Sequence, residues 1–232
     1  MQQRSRVAPV TKLVFALTGE GRDLHDAALH DELAAAGVRR LQLNVADEHV
    51  AAAMRITTGE PVRALVSVWD AEAGAVCEVL RAAAATVHGW RVAERRRLDP
   101  PEAWDGSRAD ALSNVAILRR PEELAHEEWL RRWMVEHTPI AIRTQATIGY
   151  VQNVVTEPVT TGAPRIDAIV EELFPSAGIT DMHAFYGSGG DDAELRRRLT
   201  ELMASVARIG ADRDLDLVPT SRYLYALDQA LG

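Results

Sequence analysis

Residues 126–153 read HEEWLRRWMVEHTPIAIRTQATIGYVQN. Leu130, Trp133, Met134 and His137 recur at i, i+3, i+4 and i+7, so the spacing predicts an amphipathic helix with these four side chains on one face. Glu127, Glu128, Arg131, Arg132 and Glu136 fill the other side, as expected of a helix with one buried stripe. Pro139 disfavours helical geometry at Thr138, so the helix is expected to end at His137. A strand with alternating character follows from Ile148 to Val155.

The same vocabulary of elements runs through the chain. Residues 12–17, KLVFAL, predict a strand ending in the turn Thr18-Gly19-Glu20-Gly21. Asp23 is placed to cap a helix from Leu24 to about Ala36, with Gly37 behind it. Val38 to Val45 alternates as a half-buried strand does. Val62 to Trp69 is a further strand. Asp70 then opens a helix whose stripe runs Val76, Val79, Leu80, Ala83 and Val87, closed by Gly89, and Trp90 to Leu98 completes the set. After residues 99–110, DPPEAWDGSRAD, which read as a linker, the order recurs. Asn114 to Leu118 is a strand, then come the opening helix and strand. Arg165 to Phe174 is a third strand, though its spacing also suits a helix. A helix follows, begun by Asp191 with Glu194 three residues on and ended by Gly210, and Leu217 to Ala226 is the last strand.

Two β-α-β-β-α-β units, 12–98 and 111–230, imply an α+β protein of two ferredoxin-like repeats. Each unit has an antiparallel sheet with helices on one face. The opposite faces also need cover, and packing the two sheets together would close an α/β barrel within one chain, a pseudo-dimer. A monomer satisfies that pairing, while exposed sheet edges would also allow a homodimer.

Composition narrows the function classes. A net charge of −8 argues against nucleic acid and against anionic membrane surfaces, both of which select clustered positive charge. The single cysteine, Cys77, permits no intramolecular disulfide and suits a reducing cytoplasm. No apolar run reaches the roughly 18 residues of a membrane span, and residues 1–11 lack a signal-peptide core.

From about Asn114 to Tyr225 the chain resembles an EthD domain of the dimeric α/β-barrel superfamily. The resemblance rests on a strand ending in Arg119-Arg120, the helix residues Glu128-Trp129, Trp133 and Glu136-His137, and then Gly149-Tyr150-Val151-Gln152. Ile166-Asp167-Ala168-Ile169-Val170-Glu171 is similar to the family's third strand, with Ala168 where the family has glycine. The first half lacks the Trp-x-x-x-His signature and reads as a degenerate repeat. The resemblance implies a hydrophobic or aromatic small molecule bound between helices and sheet. Most members of the family have no established reaction; relatives sharing the barrel include polyketide cyclases, cofactor-free monooxygenases, isomerases and haem-handling enzymes.

His137 is therefore either an acid/base for a cofactor-free lyase, cyclase or isomerase, or a core histidine bonded to a carbonyl. At a helix C-terminus the dipole would favour its charged form and burial would oppose it, leaving it to titrate near neutrality. Tyr150 and Gln152 share strand parity, so they can meet His137 on one face. Trp133 and Trp129 serve packing or ligand contact. Asp167 and Glu171, four apart on the expected strand, share a face and offer carboxylates for general-base work or for pairing with arginine. Tyr223 shares parity with Tyr225 on the last strand and faces inward or outward. His183 is expected at the surface of a short helix. No cofactor is required by this reading; haem held by His137 or His183 is the alternative, and a non-catalytic binding or assembly protein with a filled core is another.

Overall fold

A computed structural model describes residues 11–227. The expectations drawn from the N-terminal residues up to position 10, and from the end of the second unit beyond position 227, lie outside the described residues. Along the chain run β1 (Lys12–Gly21), α1 (Ala27–Ala35), β2 (Arg40–Val45), β3 (Val62–Trp69), α2 (Ala73–Ala83) and β4 (Ala84–Leu98). The second half carries β5 (Asp105–Arg108), β6 (Ala111–Leu118), α3 (His126–Arg131), α4 (Thr138–Thr144), β7 (Gly149–Pro158), β8 (Ala168–Pro175), α5 (Met182–Tyr186), α6 (Asp192–Arg208) and β9 (Leu215–Ala226).

The first four strands pair in the order β2-β3-β1-β4 and β6 to β9 in the order β7-β8-β6-β9, all antiparallel. Each half is thus a ferredoxin-like sheet. β4 joins β7, with Trp90 opposite Pro158 and Leu98 opposite Tyr150. β2 joins β9, with Arg40 opposite Ala226 and Val45 opposite Ser221. In each seam the second strand of one half meets the fourth of the other, and the sheet closes into an eight-stranded barrel within one chain. Closure removes the edges that an open sheet would present to another copy. β5 adds a short ninth strand against β9 at Tyr223 and Tyr225, inside the segment expected to be a plain linker.

Most barrel strands are buried on both faces along their central residues, and β4 is exposed from Arg95 to Leu98. Leu13, Phe15 and Leu17 of β1 point outward under α1 and α2, with Leu41, Val66 and Leu80. Their neighbours Val14 and Ala16 point inward with Leu65, Trp90, Val115 and Ile169. The other end of the interior is polar. Lys12 and Glu171, both almost wholly buried, form an ion pair of 2.6 Å, and Lys12 also reaches Glu94 at 2.9 Å. Gln42 Nε2 donates to Glu171 at 2.5 Å and Asn153 Nδ2 at 2.9 Å. Arg222 donates to Gln42 Oε1 at 3.0 Å, and the Asn44 amide donates to the hydroxyls of Ser113 and Thr220. Burial opposes ionisation of Glu171, but the charges of Lys12 and Arg222 prevail and hold its carboxyl well below the usual range.

Several boundaries differ from those expected, each for a local reason. The first helix begins after Asp26, whose carboxylate accepts from Ala28 N–H, and the second after Glu72, which accepts from Ala75 N–H; Asp23 and Asp70 cap neither. Gly89 does not end α2. It lies within β4 because Phe15 packs over it, and a Cβ there would come within 2.5 Å of that ring. β1 runs through the expected turn by a bulge at Thr18, with Gly19 at φ +70°. β8 starts only at Ala168, which leaves Asp167 ahead of the strand. Asp191 caps α6 through Ala193 and Glu194 N–H, whereas the Glu194 side chain turns to Arg197 and Arg198 instead of closing a capping box. Among the described residues no helix is long and apolar enough to cross a membrane.

The Lys12–Glu171 pair joins β1 of one half to β8 of the other. Lys12→Met strands a buried carboxylate and is expected to destabilise the protein by about 3–5 kcal/mol. Lys12→Met combined with Glu171→Leu should recover most of that loss. Urea denaturation of the single and double variants checks both outcomes, and equal stability of wild type and Lys12→Met would contradict the pair's role.

Candidate functional site

The helix that opens the second half does not stop at Pro139. It runs on through α4 to Thr144, and between them residues Arg132–His137 form a π-helical turn. Proline removes an N–H and crowds the carbonyl of the preceding turn, and one wide turn lets the helix pass without a break. Thr138 helps: both its N–H and its hydroxyl donate to the Trp133 carbonyl, the hydroxyl at 2.9 Å. His137 is consequently mid-helix and gains nothing from a terminal dipole. Trp133, His137 and Ala141, each four residues apart, all face the sheet.

Between this helix, α6 and the outer face of β6 to β9 lies a cavity of about 100 Å³. Trp133, His137, Tyr150 and Glu172 contribute to its wall, and Leu202 and Val206 of α6 close it. His137 is buried and its Nδ1 sits 3.0 Å from Ser205 Oγ. Burial, with a smaller contribution from the Arg208 charge, pushes its pKa down to about 4, so it is neutral at pH 7 and not poised near neutrality. Burial and then the neighbouring Glu172 carboxylate raise the Tyr150 phenol well above its ordinary value, so it stays protonated as a donor. Trp133 stacks on Trp129 with centroids 5.3 Å apart. Gln152 sits one step along β7, donating to Thr138 Oγ1 at 2.8 Å, and is held by the helix instead of lining the cavity.

Four of the residues singled out in the sequence lie elsewhere. Glu171 points into the barrel and belongs to the Lys12 cluster. Asp167 accepts from Arg120 N–H at 2.9 Å and lies near Arg120 and Arg165; because it precedes β8, it shares no strand face with Glu171. Tyr223 donates to Asp47 at 2.9 Å and packs edge-on to His25 over the first half. His183 is half-buried, with Nδ1 2.6 Å from Ser188 Oγ and Nε2 3.3 Å from Asp192.

The residue that sequence reasoning passed over is Glu172. Adjacent residues on a strand point to opposite faces, so Glu171 enters the barrel and Glu172 the cavity beneath the helices. Its carboxyl makes no hydrogen bond or ion pair among the described residues, and burial lifts its pKa to about 7. The register places Tyr150 opposite it on β7 and Asn114 opposite it on β6. Tyr150, Glu172 and Asn114 thus form one polar row across a largely apolar sheet face. The Glu-Glu pair within an apolar strand was the available signal, since a strand covered on both faces must carry one carboxylate into each: Glu171 is buried and Glu172 half-buried.

The arrangement offers a base of near-neutral pKa, a phenol donor and a neutral imidazole around a small apolar void. A haem does not fit it: the macrocycle is far larger than the void, and α6 packs directly on His137, whose Nδ1 sits 3.0 Å from Ser205 Oγ. No group of three or more metal-ligating side chains occurs among the described residues.

No family model matches the sequence, and no curated protein does. Among solved structures, an anthrone oxidase-like protein superposes with TM-score 0.53 at 8% identity, over 95% of this chain and 94% of that one. A Lactobacillus acidophilus protein assigned provisionally as a monooxygenase gives 0.49 at 9% identity, over 95% and 97%. A mutant chlorite dismutase from Candidatus Nitrospira defluvii gives 0.46 at 10% identity, over 91% of each chain. At 8% identity the likeness to the anthrone oxidase-like protein is one of fold alone, an α+β chain whose strands close into a barrel.

Glu172 and His137 have opposite signatures against pH. Because folding raises the Glu172 pKa, its contribution is present below the unfolded value near 4.5 and is lost as pH rises towards 7. His137, depressed on folding, contributes stability that is present above about 6.5 and lost as pH falls towards 4. Glu172→Gln is therefore expected to be more stable than wild type at pH 8 by up to about 3 kcal/mol and to lose that advantage at pH 4.5. Urea melts at the two pH values check this, and an unchanged difference between them would contradict the placement of Glu172.

Proposed function

We propose that the protein binds a small apolar or aromatic molecule in the cavity of its second half and performs cofactor-free acid–base chemistry on it, as an EthD-like member of the barrel superfamily. The carrying observation is the unpaired Glu172 carboxyl on the cavity wall, flanked in register by Tyr150 and Asn114. A carboxylate with a pKa near the working pH is matched to proton abstraction and return. In this reading Glu172 takes a proton from a carbon or hydroxyl acid. Tyr150 donates a hydrogen bond to the oxygen on which charge develops, and His137, neutral and tethered to Ser205, orients the substrate against Trp133. The roles differ from those expected at first, since an imidazole with a pKa near 4 is a weak base and a charged form is not available at pH 7. Lyase, cyclase or isomerase chemistry suits such a set, because the bond changes lie within the substrate and the protein need supply only proton transfer, with no oxidant or reductant.

The void is below the roughly 300–1,000 Å³ of drug-sized sites, which favours a ring or short chain as the buried part of the ligand. Such a chain needs no nucleic-acid or membrane partner. The lone Cys77, on the buried face of α2, accords with a cytoplasmic setting.

Native mass spectrometry of protein purified from its own host tests the reading. The expected result is a retained small organic mass that is lost when Ala116→Phe fills the cavity, with solvent deuterium entering the ligand in wild type at least tenfold faster than in Glu172→Gln. Retention unchanged by Ala116→Phe, or equal exchange in both proteins, would overturn it.

A further inference from the structure

A second cavity, of about 250 Å³, adjoins the polar row from the other direction. Ala116 and Leu118 on β6 line the first cavity, whereas Leu112 and Asn114, nearer the start of that strand, line the second. Its walls are Ile179, Phe185 and Tyr186 on one side and Ala52 and Ala53 on the other. Met54 and Met182 stand at its mouth, 62% and 51% exposed. Flexible thioether side chains adapt to varied apolar shapes.

The floor of this cavity is chemically specific. Asn114 is 4% exposed, and its Oδ1 is buried with no hydrogen-bond partner. A buried amide oxygen left unpaired is destabilising, and native proteins rarely keep one without a reason. The carboxamide presents one acceptor and an NH₂ donor side by side. Glu172, its cross-strand neighbour, stands at about 5 Å on the same face, and no lysine or arginine lines the cavity.

We propose that this cavity is a binding site for a neutral apolar molecule carrying a carboxamide-like head, in which donor and acceptor are adjacent, and that it discriminates against carboxylates. The head pairs reciprocally with the Asn114 amide, the apolar body lies along Phe185 and Ile179, and the tail leaves between Met54 and Met182. An anionic head would meet an unpaired acceptor and the Glu172 carboxylate with no cation to offset them. The inference uses the position of Glu172 but not its action as a base.

Hexanamide and hexanoate are the probes, titrated at pH 8 against the whole protein by calorimetry, with the aromatic NMR signals of Phe185 and Tyr186 as the local readout. Hexanamide is expected to bind saturably, to shift those signals and to exceed hexanoate at least tenfold in affinity. Asn114→Leu, which replaces the orphaned amide by an apolar side chain, should keep the fold and weaken hexanamide at least tenfold. Asn114→Asp should weaken it similarly, and Glu172→Gln should narrow the gap to hexanoate while hexanamide still binds. No saturable hexanamide binding, equal affinity for the two probes, or full hexanamide affinity in Asn114→Leu would each overturn the proposal. Because hexanamide binding does not depend on proton transfer, loss of deuterium exchange in Glu172→Gln with hexanamide still bound separates this inference from the catalytic reading.

Discussion

The pairing of β2 with β9 and of β4 with β7 is the constraint from which the rest of the structure follows. An antiparallel four-stranded sheet with helices on one face leaves its other face and two edges unsatisfied. Two such sheets in one chain satisfy each other, edge to edge and face to face. Once the barrel closes, the middle of most strands is buried twice, outward under helices and inward against the opposite sheet. That explains why β6 is buried at all eight of its positions and why polar side chains inside the barrel occur as a connected cluster.

Double burial also creates the site. On a half-exposed sheet, one of two adjacent carboxylates on a strand would face water. Here Glu171 is directed inward, where Lys12 and Arg222 neutralise it. Glu172 is directed outward, where nothing does. The same strand therefore carries one carboxylate with a strongly depressed pKa and one with a raised pKa, a separation set by neighbours and not by residue type. The helix above completes the enclosure, and its π-turn at Pro139 keeps Trp133, His137 and Ala141 on a single line over the sheet.

Much of the architecture was legible in the sequence because it depends on periodicity. Alternation marked the strands, the 3.6-residue stripe marked α2, α6 and the helix around Trp133, and the recurrence of element order marked the two sheets. Of the group expected from helical spacing and strand parity, His137 and Tyr150 meet at the cavity, while Gln152 is held by Thr138 beside it. What escaped depended on contacts between distant segments. Pro139 reads as a stop unless the wide turn that absorbs it is known, and Gly89 reads as a helix end unless Phe15 is known to cross it. Asp167 and Glu171 looked like partners because the start of β8 is fixed by pairing with β6 and β7, not by local pattern. Asn114 gave no signal at all, since only register with β8 shows that it stands beside Glu172.

The β2–β9 seam has a further consequence for how the molecule is made. β9 follows every other strand in the chain, so during synthesis the edge of β2 must wait, unpaired, while six further strands emerge. Contacts between residues as far apart as Arg40 and Ala226 are slow to form because they close a long loop. For that interval the nascent chain carries an open, apolar sheet whose natural partner has not yet left the ribosome. Two neighbouring nascent copies in that state can complete each other's barrels instead of their own, so exchange of halves is the characteristic way in which this fold would misassemble.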